Sequence, residues 1–490
     1  MSETVVSKKR PKNTMYYINT IIVFVLMFGI GSVEPIGQIT PLGMQILGIF
    51  VGTLYGWCTV GLVWPSLMAM VMVGLSGYCT VSESFIEGFG NDIPISIIVV
   101  YTLAAFMEES GLSAFLANWF ISRKIGEGRP WVFTLLIFLA AYILSALISM
   151  YATIIILWAI FYKICDQIGE PRRSRYTAFV ISGIVIICSI TGAVFPFKPF
   201  SVLIIGLATE GLGAALNYNF VTWTVYNVIL SFATMVGYAI VGRIVLRPDM
   251  SRVKNAGAEF AHLRNNKMNR EQKVAGVVLI VFMLMLLLPS VIPSSVPGMA
   301  QLSNLGVIGV GVLCIMVLAI FKSKDGKNYI NVPHLIKKGV NWELILLIAA
   351  TMPLSSALEA EECGVLQTVL AWMTQVFSGL SATVFLIIIT LLFIAVTQVT
   401  HNLVLIMVFT PVLIKMGLNF GIEPLLITFL IYYAAMAAFC TPAASANAAL
   451  IFGNVEWVQT KHAYLIGFLI VIVSALVLLC IGIPLANIMF

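Results

Sequence analysis

From about residue 15 onward the chain is a succession of long uncharged apolar runs divided by short polar stretches. The runs lie at about 15–33, 41–60, 61–78, 93–110, 176–207, 221–242, 274–292, 303–321, 343–358, 422–452 and 463–489, with two further stretches at 132–162 and 382–414. A helix needs roughly 20 apolar residues to cross a bilayer, so most of these runs predict transmembrane helices. The first, Met15 to Val33, follows Lys8, Lys9, Arg10 and Lys12. It is too long for the core of a signal peptide, and no small-residue cleavage site follows. It therefore predicts a retained helix with its basic tail in the cytoplasm. Composition agrees with the pattern. Of 490 residues 60% are hydrophobic and 10% charged, where a soluble domain carries about a quarter charged. The chain reads as a polytopic membrane protein with room for about ten to thirteen crossings.

The placement of charge says more than its net value of +6. Basic residues lie in the segments 123–129, 163–175, 243–273 and 322–338 and at Lys461, whereas 34–40, 79–92, 208–220 and 290–302 have none and several carry Glu or Asp. Simple alternation from a cytoplasmic N-terminus puts all 27 basic residues inside except Lys198 and Lys415. The C-terminus is then external. Eight scattered cysteines without C-x-x-C spacing read as small packing residues. Four histidines without an H-E-x-x-H pattern leave no metal site, so no resident cofactor is expected beyond a coupling Na+. A nucleic-acid partner is not expected either.

Two apolar stretches resist alternation. Residues 132–162 are uncharged yet lie between Arg129 and Lys163, both of which belong inside; one span would put a basic end outside and two full spans need about 40 residues. A re-entrant hairpin of two half-length helices satisfies both ends, with its non-helical tip shielded from lipid. An ordinary pair of short tilted spans is the alternative. Residues 382–414 invite the same reading with opposite polarity. Two other stretches are too long for one helix and are interrupted: 176–207 by Gly192, Pro196 and Pro199, and 422–452 by Pro442. Paired broken helices point to a transporter binding site. The repeat is visible in residues as well. Glu109-Ser110-Gly111 is followed by Trp119, and Glu362-Cys363-Gly364 by Trp372, with the same ten-residue step. Each precedes a hairpin and then a broken helix, with opposite polarity, which makes an inverted repeat.

This layout, together with Phe89-Gly90-Asn91, the segment from Ser445 to Gly453 and the closing Gly482-Ile483-Pro484-Leu485, resembles the divalent anion:sodium symporter family. That family, of sodium-coupled di/tricarboxylate and sulfate transporters, belongs to the ion transporter superfamily. The resemblance implies an all-α membrane protein of about 11 transmembrane helices, two re-entrant hairpins in an inverted repeat and two broken helices. The organisation expected is a basic tail over 1–14, scaffold helices over 15–92 and a first repeat over 93–220. Connecting helices over 221–321, a second repeat over 322–462 and a last helix over 463–490 follow. Hairpin tips in the family carry serine-asparagine-threonine. Here the first tip keeps Ser145 and Ser149 but has Met150 and Tyr151; the second keeps Thr397 and Asn402 but has His401. The resemblance implies cation binding by Ser145, Ser149, Gly192, Thr397, Thr400 and Asn402. For substrate it implies Ser149, Asn402, Ser445 and Asn447, and Tyr151, Lys198 and His401, which depart from the family pattern, are added as donors by their own chemistry. Sodium needs several hard oxygens, and a carboxylate needs donors and half-helix N-termini. Packing through small residues accounts equally for Ser145 and Ser149. His401 alone fits a hydrogen-bonded packing histidine.

The function expected is secondary active transport of a small organic anion, a di- or tricarboxylate, and the resemblance implies an elevator motion against a scaffold that forms a homodimer in the membrane lipid. Coupling would be to sodium or by exchange. A cation/proton antiporter would want a carboxylate at mid-span, and none stands out; an inorganic-anion transporter remains open. A membrane-embedded enzyme would need a cluster of carboxylates or histidines at one face, so no enzymatic activity is expected. No G-x-x-x-x-G-K-[ST] motif supports direct ATP drive. Lys198 is the one basic residue inside a predicted span. It reads either as a stand-in for one bound cation or as a structural partner of a backbone carbonyl.

Overall fold

The computed structural model describes residues 14–255, 266–322, 326, 328–377 and 379–490. The tail with Lys8, Lys9, Arg10 and Lys12 lies outside the described residues, as do parts of the basic segments 243–273 and 322–338. Among the described residues the fold is all-helical, apart from an isolated bridge between Lys322 and Asn328. The chain forms two compact units, Met1–Asn91 with Leu346–Trp372, and Asp92–Ile345 with Met373–Phe490.

The first unit opens with α1 (Thr14–Gly29), α2 (Pro41–Thr59), α3 (Val63–Leu75) and α4 (Val81–Gly90). Local chemistry sets their starts. Thr40 caps α2 by accepting from Gly43 N (3.1 Å), ahead of Pro41 in the first turn, and Thr80 and Glu83 form a capping box on α4. α1 lies against the glycines of α2, since a Cβ at Gly52 would overlap Met27. Close approach through small residues is the usual packing in lipid, where no hydrophobic drive joins helices. The Glu362-Cys363-Gly364 turn is docked in this unit: Thr40 Oγ1 donates to Glu362 O (2.7 Å) and Thr40 N to Cys363 O (3.1 Å).

The second unit continues with α5 (Asp92–Glu109), α6 (Leu112–Ile121), α7 (Pro130–Leu147), α8 (Met150–Ile168), α9 (Arg175–Ile190), α10 (Pro199–Leu212), α11 (Phe220–Val241), α12 (Arg270–Val291), α13 (Met299–Ile320) and α14 (Val332–Gly339). Two helices, α15 (Trp342–Glu359) and α16 (Val365–Phe377), run across the division between the units. The second unit is completed by α17 (Ala382–Val396), α18 (Asn402–Asn419), α19 (Pro424–Met436), α20 (Ala446–Gly453), α21 (Thr460–Val477) and α22 (Ile483–Met489). Ten described helices are long and apolar enough to cross a membrane, or up to twelve if each of two bent pairs is one span; the ten include α7, α8 and α18, which the expected eleven set aside as hairpin arms. Burial sorts them. Only 17% of the apolar window of α12 and 22% of that of α13 is covered, as expected of helices facing lipid. By contrast every residue of α9 from Tyr176 to Ile190 and every residue of α19 from Leu425 to Met436 is buried. A helix apolar on all sides belongs in the middle.

Helix pairs stand at both places, α7 with α8 and α17 with α18, but three of the four arms are long and apolar enough to cross a membrane, where half-length helices were expected. α7 has 18 residues and α8 has 19, each roughly 27–28 Å at 1.5 Å per residue. The reason is that a charge ends an apolar run without ending a helix. α8 continues through exposed Lys163 to Ile168, and Gly169, at positive φ, stops it. At the C-terminal end of α5, Glu109 Oε1 is held by His334 Nε2 (2.8 Å) and Lys338 Nζ (2.9 Å) of α14. α14 is a short amphipathic helix that buries Leu335 and exposes its lysines.

Candidate functional site

The first broken helix follows from its prolines. Pro199 cannot donate a backbone N–H and disfavours helical geometry in the residue before it, so Lys198 sits extended at φ −66°, ψ 145° and becomes the N-cap of α10. Residues 191–198 are unwound between α9 and α10. One of their peptide groups finds a partner on another helix, since Trp223 Nε1 of α11 donates to Ala193 O (2.9 Å), and Thr191 Oγ1 turns back to donate to Cys188 O of α9 (3.0 Å). The Lys198 side chain is 5% exposed, and its Nζ donates to Ser145 O (2.8 Å) and Ile148 O (3.1 Å). Those carbonyls lie where α7 stops, among the acceptors that a helix C-terminus leaves without intrahelical donors. Ser145 Oγ donates to Cys188 O (2.9 Å), which ties the hairpin tip to the end of α9.

A cavity of about 40 Å³ opens here, lined by Tyr101 of α5, by Ser149 and Tyr151 of the tip, and by Gly192, Lys198 and Phe200 of the break. It has room for a few waters.

The second half repeats the plan. Thr397 Oγ1 donates to Ala435 O (3.1 Å), as Ser145 does to Cys188 O, again tying a hairpin tip to the end of the following helix. Residues 437–445 are unwound between α19 and α20. One side chain serves much of that stretch. Gln398 Nε2 donates to Ile394 O (2.7 Å) and Ala437 O (3.0 Å), and its Oε1 accepts from Phe439 N (3.2 Å) and Cys440 N (3.0 Å). Thr441 Oγ1 donates to Gln398 O (2.7 Å). Buried Asn402 bonds through its N–H to Ala444 O (3.3 Å) and brings its amide nitrogen to 3.7 Å from Met436 Sδ. Ser445 donates to Ala438 O (2.8 Å) and accepts from Ala448 N (3.0 Å).

The four helices that start at the tips and breaks are capped in a crossed pattern. Ser149 caps α8 and Ser445 caps α20 through their hydroxyls. Lys198 at α10 and His401 at α18 make no side-chain cap. Each half therefore keeps one hydroxyl cap and places a basic side chain at its other helix start. The uncapped N-termini carry partial positive charge that an anion can neutralise.

The halves meet at Asn447 of α20. Its Nδ2 donates to Ser189 Oγ of α9 (2.7 Å) and lies 3.8 Å from Met150 Sδ of the first tip. Asn447 Oδ1, His401 Nδ1 and the Tyr432 hydroxyl are buried atoms without a hydrogen-bond partner among the described residues. A Cβ at Gly192 would come 2.7 Å from that Tyr432 hydroxyl, so the orphaned oxygen lies beside the first break. A buried polar atom left unmet calls for an explanation such as a bound water, an ion or a functional role.

Of the residues expected at the site, Ser149, Tyr151, Gly192 and Lys198 share the first cavity, with Ser145 behind it. Thr397, Asn402 and Ser445 gather at the second break, and Asn447 joins the two halves. His401 and half-buried Thr400 lie at the second tip and do not line the first cavity. Sequence reading passed over Gln398, Ser189, Tyr101 and Tyr432. A long amide next to Thr397 at a hairpin tip was a legible signal for Gln398; the other three carry none.

α21 passes directly behind the second break, and Gly467 permits it, because a Cβ there would overlap Phe439 O. Gly467→Val is expected to displace Phe439 and Cys440, lowering stability by about 1–3 kcal/mol, the usual cost of overpacking. Thermal unfolding of the purified variant checks this; an unchanged midpoint would show that α21 yields without disturbing the break.

Comparison with known proteins gives two matches of use. A sequence profile described as citrate transporter (CitMHS) matches residues 46–431, well over half the chain. The crystal structure of the Alcanivorax borkumensis YdaH transporter, described as having an unusual topology, superposes with a TM-score of 0.55. It shares 14% identity and covers 83% of this chain and 88% of that one, a likeness of fold alone. No curated protein sequence matches.

Proposed function

The chain belongs to the citrate transporter family, and from that premise we propose that it carries citrate or a closely related di- or tricarboxylate by an elevator form of alternating access. The hairpins and broken helices would move as a block against the remaining helices, which would form the scaffold of a homodimer. The N-terminus would be cytoplasmic and the C-terminus external, following the bias of basic residues. One observation carries the choice of an anion. A buried lysine, paired with no carboxylate among the described residues, stands at an uncapped helix N-terminus on the first cavity. That concentration of positive potential suits a carboxylate.

The second half is the better candidate for a coupling cation. Thr397, Thr400, Asn402 and the carbonyls of the unwound stretch supply the hard oxygens that sodium requires. Asn402→Ala is expected to raise the sodium concentration for half-maximal uptake by about tenfold, equivalent to about 1.4 kcal/mol, before it lowers maximal rate.

The test is uptake of labelled citrate into proteoliposomes under imposed sodium or proton gradients, together with counterflow into citrate-loaded vesicles. Saturable uptake competed by other di- and tricarboxylates is expected. A monodisperse, folded protein that moves none of these anions in either format would overturn the reading. An unchanged sodium requirement in Asn402→Ala would remove the cation from the second half.

A further inference from the structure

The two halves are built alike but differ at one position that decides charge. Lys198, at the start of α10, corresponds in the fold to Ser445 at the start of α20: each is the residue that ends the unwound stretch and begins the second part of the broken helix. We propose that the ammonium of Lys198 is the resident cation of the first half, occupying the place of an exchangeable metal ion, so that this half binds no coupling sodium.

Three features carry this. First, the ammonium rests on Ser145 O and Ile148 O, two carbonyls at the negative end of α7 that form the kind of hard-oxygen cradle a monovalent metal ion uses. Second, the amide that the other half places at this position is missing. Met150 stands at the helix start where Asn402 stands in the second half, and a thioether is a poor ligand for a hard cation. Third, an ammonium has three donors, and two are used by the carbonyls. Lys198 also lines the cavity with Ser149 and Tyr151, so its third hydrogen can serve a carboxylate of the substrate. A tethered cation differs from a dissolved one in that it never leaves. One positive charge fewer is then co-transported with each anion, and the empty carrier keeps its attraction for anions, which favours exchange.

The inference rests on the transport reading above, and its test is arranged to separate the two. Lys198→Ala, Lys198→Gln and Lys198→Arg are expressed and purified with and without ethylammonium, and thermal unfolding is followed against sodium and ethylammonium at constant ionic strength. That measurement needs no substrate. Lys198→Ala is expected to gain a saturable stabilisation by either cation that the wild type lacks; Lys198→Arg, which keeps the charge, is expected to gain none. In proteoliposomes Lys198→Ala is expected to show a sodium dependence steeper by one ion and one additional charge moved per anion. Cation responses in Lys198→Ala and Lys198→Gln equal to those of the wild type would overturn the proposal and leave Lys198 as a helix cap. Failure of both variants to fold with ethylammonium present would also overturn it, because a free cation replaces a resident one but cannot replace a packing side chain. A wild type that moves no carboxylate would count against the transport reading alone.

Discussion

Replacing Gln398 by leucine is expected to abolish transport and to destabilise the protein by roughly 4–12 kcal/mol, from about 1–3 kcal/mol for each of the four backbone groups left without a partner. The amide uses both donors and two acceptor positions on the tip and the break: Ile394 O and Ala437 O on one side, Phe439 N and Cys440 N on the other. Unwound backbone inside a membrane survives only where such groups are satisfied. Leucine matches the size of the glutamine and satisfies none of them. Gln398→Glu keeps the acceptors for Phe439 N and Cys440 N but loses the donors, so it should fall between leucine and the wild type. Thermal unfolding and citrate uptake on the same preparations check the order. Wild-type uptake by Gln398→Leu would mean that the break is held by packing and not by this amide.

The second large effect is expected at Asn447. Its nitrogen is engaged with Ser189 Oγ while Oδ1 has no protein partner, so aspartate can enter with the same shape and one negative charge. If a carboxylate of the substrate binds within about 6 Å, two like charges at an effective dielectric constant of about 20 repel by about 2.8 kcal/mol. That corresponds to roughly a hundredfold loss of anion affinity. Asn447→Asp should therefore show a much raised half-saturation for citrate with a protein that still folds, since the Ser189 hydroxyl can turn and donate to the new carboxylate. Asn447→Ala should lose less anion affinity. The checks are concentration dependence of uptake and anion-induced thermal shift. Unchanged citrate affinity in Asn447→Asp would move the substrate away from the junction of the two halves.

Much of the frame was legible. The breaks at residues 191–198 and 437–445 fall inside the two stretches singled out by their length and their prolines. The breaks between α7 and α8 and between α17 and α18 fall inside the two stretches that resisted alternation, and Gly111 and Gly364 of the repeated motif both take the positive φ that begins a new helix. Arm length was misjudged because the boundary was read from charge, whereas a lysine such as Lys163 can sit within a helix and reach outward. The site was legible only in part. Ser149, Gly192 and Lys198 share a cavity, but the sequence could not say that Met150 would lie against Asn447 or that Ser189 would bond to it.

The chain by itself determined which segments enter the membrane, where they turn back and where they unwind. Hydropathy, charge and the backbone limits of proline and glycine belong to each residue, and they act without knowledge of the remainder. It also placed one lysine in an apolar span, which required a partner without naming it. Tertiary structure alone decided that the partners are Ser145 O and Ile148 O, that Gln398 serves the second break, and that the halves are joined through Asn447 and Ser189. Most of those acceptors are backbone carbonyls, which every residue carries alike. A contact to a peptide group leaves no mark on the residue that supplies it, so it can be known only when the fold brings the two together.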